Sequence, residues 1–316
     1  MSEQKSIDPR VDPALSDLRG DGDSVGAIGA ARARLARSEY GRCLAASWSL
    51  GIVLALASAW CAGLVAVRGA AAADIATREV TEALFKSTTD KPADFSGFDL
   101  SYLDLAGLDF KGARMPDADL YGTDLTGANL AGADLSHTRL DRSLIIKTDF
   151  TGANLEGATM LRPTVYSDMQ FNQADAPNFS RARLVRLRVH ARLDGAIFIG
   201  ADLTDADFSP HEERAGAGTI TTVPRNELTN ADFSGAIMRS ANFSQAKLSY
   251  VRFVHADLKG AKLRNTDLTG ADFTGADLAG ADLTGADLTR AKLKAAKGLD
   301  TVIGLGRSHN LDQAIR

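Results

Sequence analysis

The side chains able to do acid–base or metal chemistry are scattered along this chain. Five histidines, His137, His190, His211, His255 and His309, stand far apart, with no pair at metal-ligand spacing and no acid cluster beside them. Each reads as a surface residue. Aspartates are numerous but return at one repeating position, as a solvated wall requires, and that regularity argues against a calcium site or a general acid. The serines and threonines are equally periodic, and none occupies a nucleophile elbow. Both cysteines, Cys43 and Cys61, fall inside one apolar stretch, leaving no disulfide framework and no thiolate site elsewhere. No catalytic residue, cofactor or metal is expected. One cluster breaks the acidic rule: Arg181, Arg183, Arg186, Arg188 and Arg192, with His190 among them. Alternate residues of a strand share a face, so these arginines are expected to project together as a basic band for carboxylates or phosphates of a partner. The bland alternative is charge balance against acidic neighbours.

What positions these residues is a five-residue beat. From Asp94 onward a large apolar residue returns at every fifth place, from Phe95, Leu100, Leu105 and Phe110 through to Val165, and again from Leu228 and Phe233 to Leu293. Shorter runs lie between them, Phe179, Leu184 and Val189, then Leu193, Phe198, Leu203 and Phe208 one residue out of phase. Ten of the 13 phenylalanines fall on these centres and no charged residue does, so the centres must point inward. Ala usually stands two places before a centre and Asp or Asn one place before; Thr or Ser and often Gly follow it. A period of five fits neither regular element, because on a helix it scatters the apolar groups and on a strand it alternates faces. The backbone must therefore turn once per repeat, with Asp, Thr and Gly at the corners. Stacked turns give a solenoid whose coils lie about 4.8 Å apart, and one coil alone would not stay folded.

These residues closely resemble the pentapeptide repeat family. Its pattern A-(D/N)-L-x-x is matched by Ala271-Asp272-Phe273-Thr274-Gly275 through Ala286-Asp287-Leu288-Thr289-Arg290. The resemblance covers residues 93–293 and implies an all-β solenoid, a right-handed quadrilateral β-helix with about twenty residues per coil and about nine to ten coils. It also implies that some relatives imitate duplex DNA and bind topoisomerases.

Interruptions and ends complete the domain plan. Between 166 and 192 the corner spacing fails, which predicts a bulge or small loop. Residues 209–227, with Gly216, Gly218 and Pro224, replace recognisable repeats; Phe208 to Leu228 is twenty residues, so the segment is either a degenerate coil or, the preferred reading, an exposed loop. In 68–92, Ile75, Val80, Leu84 and Phe85 at roughly helical spacing predict a juxtamembrane helix covering the first coil. Residues 294–316 lose the beat and are expected to form a C-terminal cap.

Ahead of the repeats, Cys43 to Val67 contains no charged side chain; as a helix its 25 residues reach about 37 Å, enough to span a bilayer core. A cleaved signal peptide, with Ala70 to Ala73 as its cleavage site, is the weaker reading because 42 residues precede the span. Arg32, Arg34, Arg37 and Arg42 before the span outnumber Arg68 and Arg78 after it, which places the N-terminus in the cytoplasm and the repeats outside the inner membrane. Residues 1–42 read as a basic tail, disordered over its polar first part. Ser47, Gly51, Ala55, Ala59 and Gly63 form a small-residue ridge along which two such helices could associate into a homo-oligomer.

The net charge of −4 gives no footprint for nucleic acid. The reading that uses every feature is a non-enzymatic, single-pass scaffold offering a rod about 45 Å long to a protein partner. Its alternatives are a DNA-mimic topoisomerase-binding protein, and an envelope enzyme or accessory subunit built on the 209–227 loop.

Overall fold

A five-residue beat demands a corner in every repeat, and the computed structural model shows how each is made. It describes residues 73–110, 112–166, 172–210 and 225–315. At the first corner the Phe98 N–H donates to the Phe95 carbonyl at 3.1 Å while Gly97 takes φ +69°, the geometry of a type II turn. The preceding aspartate fixes the same corner from outside. Asp94 Oδ1 accepts the Ser96 N–H at 3.0 Å, and Asp99 with Ser101, Asp124 with Thr126 and Asp272 with Thr274 repeat the arrangement. The periodic Asp or Asn is thus a turn former as well as a solvated group.

Successive corners give four sides. On the second side, for example, Asp99 pairs in parallel with Asp119, Asp119 with Arg139 and Arg139 with Thr159, twenty residues per coil. Each pairing exchanges backbone bonds such as Leu100 N–H to Asp119 C=O at 2.8 Å and Asp119 N–H to Phe98 C=O at 2.9 Å. Only where pairing extends over three residues do named strands appear, β1 (Thr159–Leu161) and β2 (Arg188–His190), parallel with Leu161 opposite His190. The centres fill the interior completely. On the fourth side Phe150, Phe179, Phe198, Phe233, Phe253 and Phe273 form one column, neighbouring rings stacked at 4.5–5.6 Å.

The interruptions are insertions between sides. Asp149 pairs with Asn178, twenty-nine residues on, so nine extra residues leave the coil; a 3₁₀ turn at Gln173–Asp175 brings the chain back. Asn178 then pairs with Ile197, a coil of nineteen, which accounts for the one-residue change of phase. Arg192 pairs with Glu227, a step of thirty-five, so fifteen extra residues lie between Phe208 and Leu228. Leu228 is therefore not one coil above Phe208. It occupies the next side, stacked over Leu193, so the intact phase of 209–227 is a coincidence of length.

At the N-terminal end, α1 (Thr77–Lys86) buries Val80 and Leu84 against the first coil, with the Glu79 carboxylate accepting the Ala76 N–H at 2.9 Å. Phe85 does not join them and is 86% exposed, because one residue beyond Leu84 a helix has turned about 100° away from the buried stripe. At the other end the chain continues coiling. Lys297, Ile303, His309 and Ile315 pair with the coil below at six-residue steps, and 3₁₀ turns at Leu305–Arg307 and Leu311–Gln313 take up the added residue. Among the described residues no helix is long and apolar enough to cross a membrane. The expected span 43–67, its ridge Ser47, Gly51, Ala55, Ala59 and Gly63, and the tail 1–42 all lie outside the described residues.

Candidate functional site

The buried centres leave the outward side chains of the walls open to a partner. The second side carries a groove of about 230 Å³ lined by Tyr121, Arg139, Asp141, Arg142, Leu161, Arg162 and His190. One wall is rigid. The Arg139 guanidinium lies 4.2 Å over the Tyr121 ring and bonds both Asp141, at 3.1 Å, and Asp119, at 3.2 Å. Tyr102 abuts Tyr121 edge-on at 5.4 Å and extends the aromatic surface. Arg142 and Arg162 hold the same corner position in consecutive coils, with φ +58° and +57°. The Asp141 carboxylate also accepts the Leu161 N–H at 2.9 Å, which ties the two coils together beneath the groove.

The expected basic band is not a band. Its residues follow the chain round the rod, and a five-residue step moves a side chain to the next side, so Arg183, Arg188 and Arg192 lie on the first, second and third sides. Alternation along a strand fails as a guide here because each side is too short to hold more than one outward turn of it. Arg183 and Arg186 do meet. Both bond Glu156, Arg183 through Nε at 2.8 Å, and this hydrogen bond first of all holds the Glu156 carboxyl below the usual range. Arg192 bonds Asp194 at 2.9 Å and approaches Glu227 at 3.4 Å, with its guanidinium 5.6 Å from the Tyr166 ring centre. Tyr166 donates to the Asp194 carbonyl at 2.9 Å; burial, and then the Asp194 charge, push its phenol well up. Of the five, Arg181 and Arg188 have no acidic partner among the described residues.

The histidines stay apart, and among the described residues no group of three His, Cys, Asp or Glu is placed to hold a metal. His137 and His255 lie over Gly157 and Gly275 of the next coil. His190, expected at the surface, is only 6% exposed, because it is the paired end of β2 at the floor of the groove. His211 lies outside the described residues. The outward aspartates are crossed by cations of adjacent coils: Lys292 reaches Asp272 at 3.2 Å, Lys259 reaches Asp277 at 3.0 Å, and Arg239 reaches Asp257 at 2.7 Å.

Sequence reasoning passed over Arg139, Arg142, Arg162 and Tyr121. The signal that finds them is the coil length: Arg142 and Arg162 stand twenty residues apart, as do Asp119, Arg139 and Thr159. Adjacent positions in the chain mattered less than positions one coil apart.

A model of the family described as pentapeptide repeats matches eight copies, over residues 93–127, 123–160, 189–209, 227–265 and 256–294. The chain is a pentapeptide repeat protein. Its fold is accordingly the right-handed β-helix of that family. No curated protein matches this pentapeptide repeat protein. Among solved structures it is similar to HetL, involved in heterocyst differentiation regulation in the cyanobacterium Nostoc, at 23% identity over 76% of this chain and 94% of that one, with a TM-score of 0.41. It is also similar to QnrB1, a plasmid-mediated fluoroquinolone resistance protein, at 22% identity over 57% and 85% of the two chains, TM-score 0.38. Rfr23 from the cyanobacterium Cyanothece shares 20% identity over 54% and 90%, TM-score 0.26. These are distant likenesses, and none carries its role across to this chain.

Proposed function

We propose that this pentapeptide repeat protein is a non-enzymatic scaffold, held at the inner membrane by a single span at 43–67, whose outer walls bind a partner protein. The observation that carries the reading is the filled interior: the centres from Phe95 to Leu288 are almost entirely buried against one another, so chemistry has no internal cavity to occupy. The charge bias around the span supports an N-terminus in the cytoplasm and a rod outside it. The ridge Ser47, Gly51, Ala55, Ala59 and Gly63 provides for self-association in the bilayer. Protease protection of residues 94–316 in sealed inner-membrane vesicles, with affinity capture of the full-length chain from the same membrane, tests both parts. A rod shielded in inverted inner-membrane vesicles, and digested in spheroplasts, supports the topology; the opposite pattern rejects it.

The topoisomerase reading needs a continuous unneutralised negative face. The cross-coil pairs on Asp257, Asp272 and Asp277 count against it. Inhibition of gyrase supercoiling by the full chain would restore it.

A further inference from the structure

We infer that the N-terminal end of the rod rests on the lipid surface, with the Phe85 ring of α1 inserted at the level of the headgroups and Lys86 and Lys91 beside it at the phosphates. The inference rests on the reading of 43–67 as a membrane span and gives the rod a seat on that membrane.

Surface chemistry gives the first argument. Phe85 is the most open large apolar residue among those described. At about 100° per residue it stands about 120° from the mean direction of Val80 and Leu84, so it points away from the first coil, on the outward half of α1 with Arg78, Glu82 and Lys86. Both acids of the helix are engaged: Glu79 accepts the Ala76 N–H at 2.9 Å, and Glu82 pairs with Arg78 at 3.1 Å. Lys86 and Lys91 have no acidic partner among the described residues, which leaves two cations close to the apolar ring, the composition of a lipid-contacting surface. The first coil adds to it. Leu103 and Leu108, on the third and fourth sides, are only partly buried, whereas Thr123 and Ala128 at the same places one coil on are almost fully buried.

Chain length gives the second and chooses the occupant. Asp74 is fixed to the second side of the first coil: its N–H donates to the Asp99 carbonyl at 2.8 Å, and its carboxylate accepts the Asp99 N–H at 2.9 Å. Ile75, next to it, is buried. Only residues 68–73 separate this anchor from Val67, the last residue of the uncharged stretch. From Val67 to Asp74 a fully extended chain reaches at most about 25 Å. With 43–67 in the bilayer, this end of the rod therefore cannot leave the lipid surface by more than that distance. So short a tether keeps the effective concentration of lipid at Phe85 high, and a contact too weak to hold a free protein is enough to seat this one. A soluble partner would have to enter that gap and displace the lipid.

The test uses the full chain in nanodiscs of phosphatidylethanolamine and phosphatidylglycerol, with Phe85→Trp introduced after Trp48→Phe and Trp60→Phe have removed the native indoles. Tyr250→Trp in the same background, at an exposed corner far along the rod, is the control. Lipids spin-labelled near the headgroup are expected to quench emission from position 85 at least about twofold and shift it to the blue, and to leave position 250 unchanged. Charge reversal by Lys86→Glu with Lys91→Glu is expected to reduce that quenching at least about twofold. Equal quenching at the two positions overturns the inference, as does quenching that charge reversal leaves unchanged. Emission from position 85 that is blue-shifted but not quenched means that protein covers the site, and overturns it too. Alkaline extraction separates the inference from the reading beneath it. A chain that stays in the membrane with position 85 unquenched keeps the span and loses the seat; a chain extracted into solution loses both.

Discussion

Asn226 closes the coil that Phe208 leaves open. Its side-chain amide donates to the Phe208 carbonyl at 2.6 Å and to the Val189 carbonyl at 3.1 Å, and its Oδ1 accepts the Ala191 N–H at 2.6 Å. The residue is fully buried, at a position where most repeats carry Ala. A side chain thus replaces the backbone ladder where fifteen inserted residues interrupt it. Asn226→Ala strands buried backbone groups that cost about 1–3 kcal/mol each, so a loss of about 2–4 kcal/mol is expected in urea unfolding, with faster proteolysis inside 209–227. Asn226→Asp keeps the acceptor and loses the donors, and should be nearly as damaging. Wild-type stability in both would show that the ladder closes without it.

The phenylalanine column predicts a graded loss. Phe198 stacks between Phe179, at 5.0 Å and 7°, and Phe233, at 4.5 Å and 1°. Phe198→Ala should cost about 3–5 kcal/mol, whereas Phe198→Leu, which restores the residue type of most centres, should cost less than half as much. Denaturant midpoints of the two variants measure the difference. Similar losses in both would mean that ring stacking, rather than filled volume, holds the column.

Corner glycines should differ according to what lies over them. A Cβ on Gly270 would come within 2.6 Å of the Tyr250 ring, whereas one on Gly127 meets nothing within 4 Å. Both have positive φ, so Gly127→Ala carries only the backbone penalty of about 1 kcal/mol and Gly270→Ala adds a steric one. In a double-mutant cycle Tyr250→Ala should bring the Gly270→Ala loss down to the Gly127→Ala level. No coupling between Tyr250 and Gly270 would contradict the stacking.

Acid should loosen the C-terminal coils. A hydrogen bond from Lys259, then the Ala279 N–H, hold the Asp277 carboxyl below its ordinary value of 3.8. Asp287 is held down chiefly by the Thr289 hydroxyl, against an opposing effect of burial, with the Asn310 amide adding to it. A carboxylate with a depressed folded value contributes stability that is complete above the unfolded value and is lost as pH falls through the folded one. Hydrogen exchange in residues 277–315 should therefore quicken as pH drops below about 4, after correction for intrinsic rates. Asp277→Asn with Asp287→Asn, which preserves the turn geometry, should flatten that dependence. A steep acid response in the double variant would assign it to other groups.

The spacing of Leu and Phe centres was enough to read the coil, its corners and its inward face, because burial acts on each repeat in the same way. Side membership was harder to read. It depends on cumulative chain length, and the nine-residue and fifteen-residue insertions shift every later centre to a different side. Arg183, Arg188 and Arg192, close in the chain, face different directions because each step of about five residues turns a corner, while Arg142 and Arg162, one coil apart, share a corner. His190 misled because its five-residue context says nothing of the coil beside it, where it pairs with Leu161. Asn226 stands where most repeats carry Ala, and the gap it spans explains it.

The most direct test of the account is affinity capture of the full-length chain from its native membrane. The account predicts recovery of a stoichiometric membrane or envelope protein. Recovery of a topoisomerase, or of no protein at all, would contradict it.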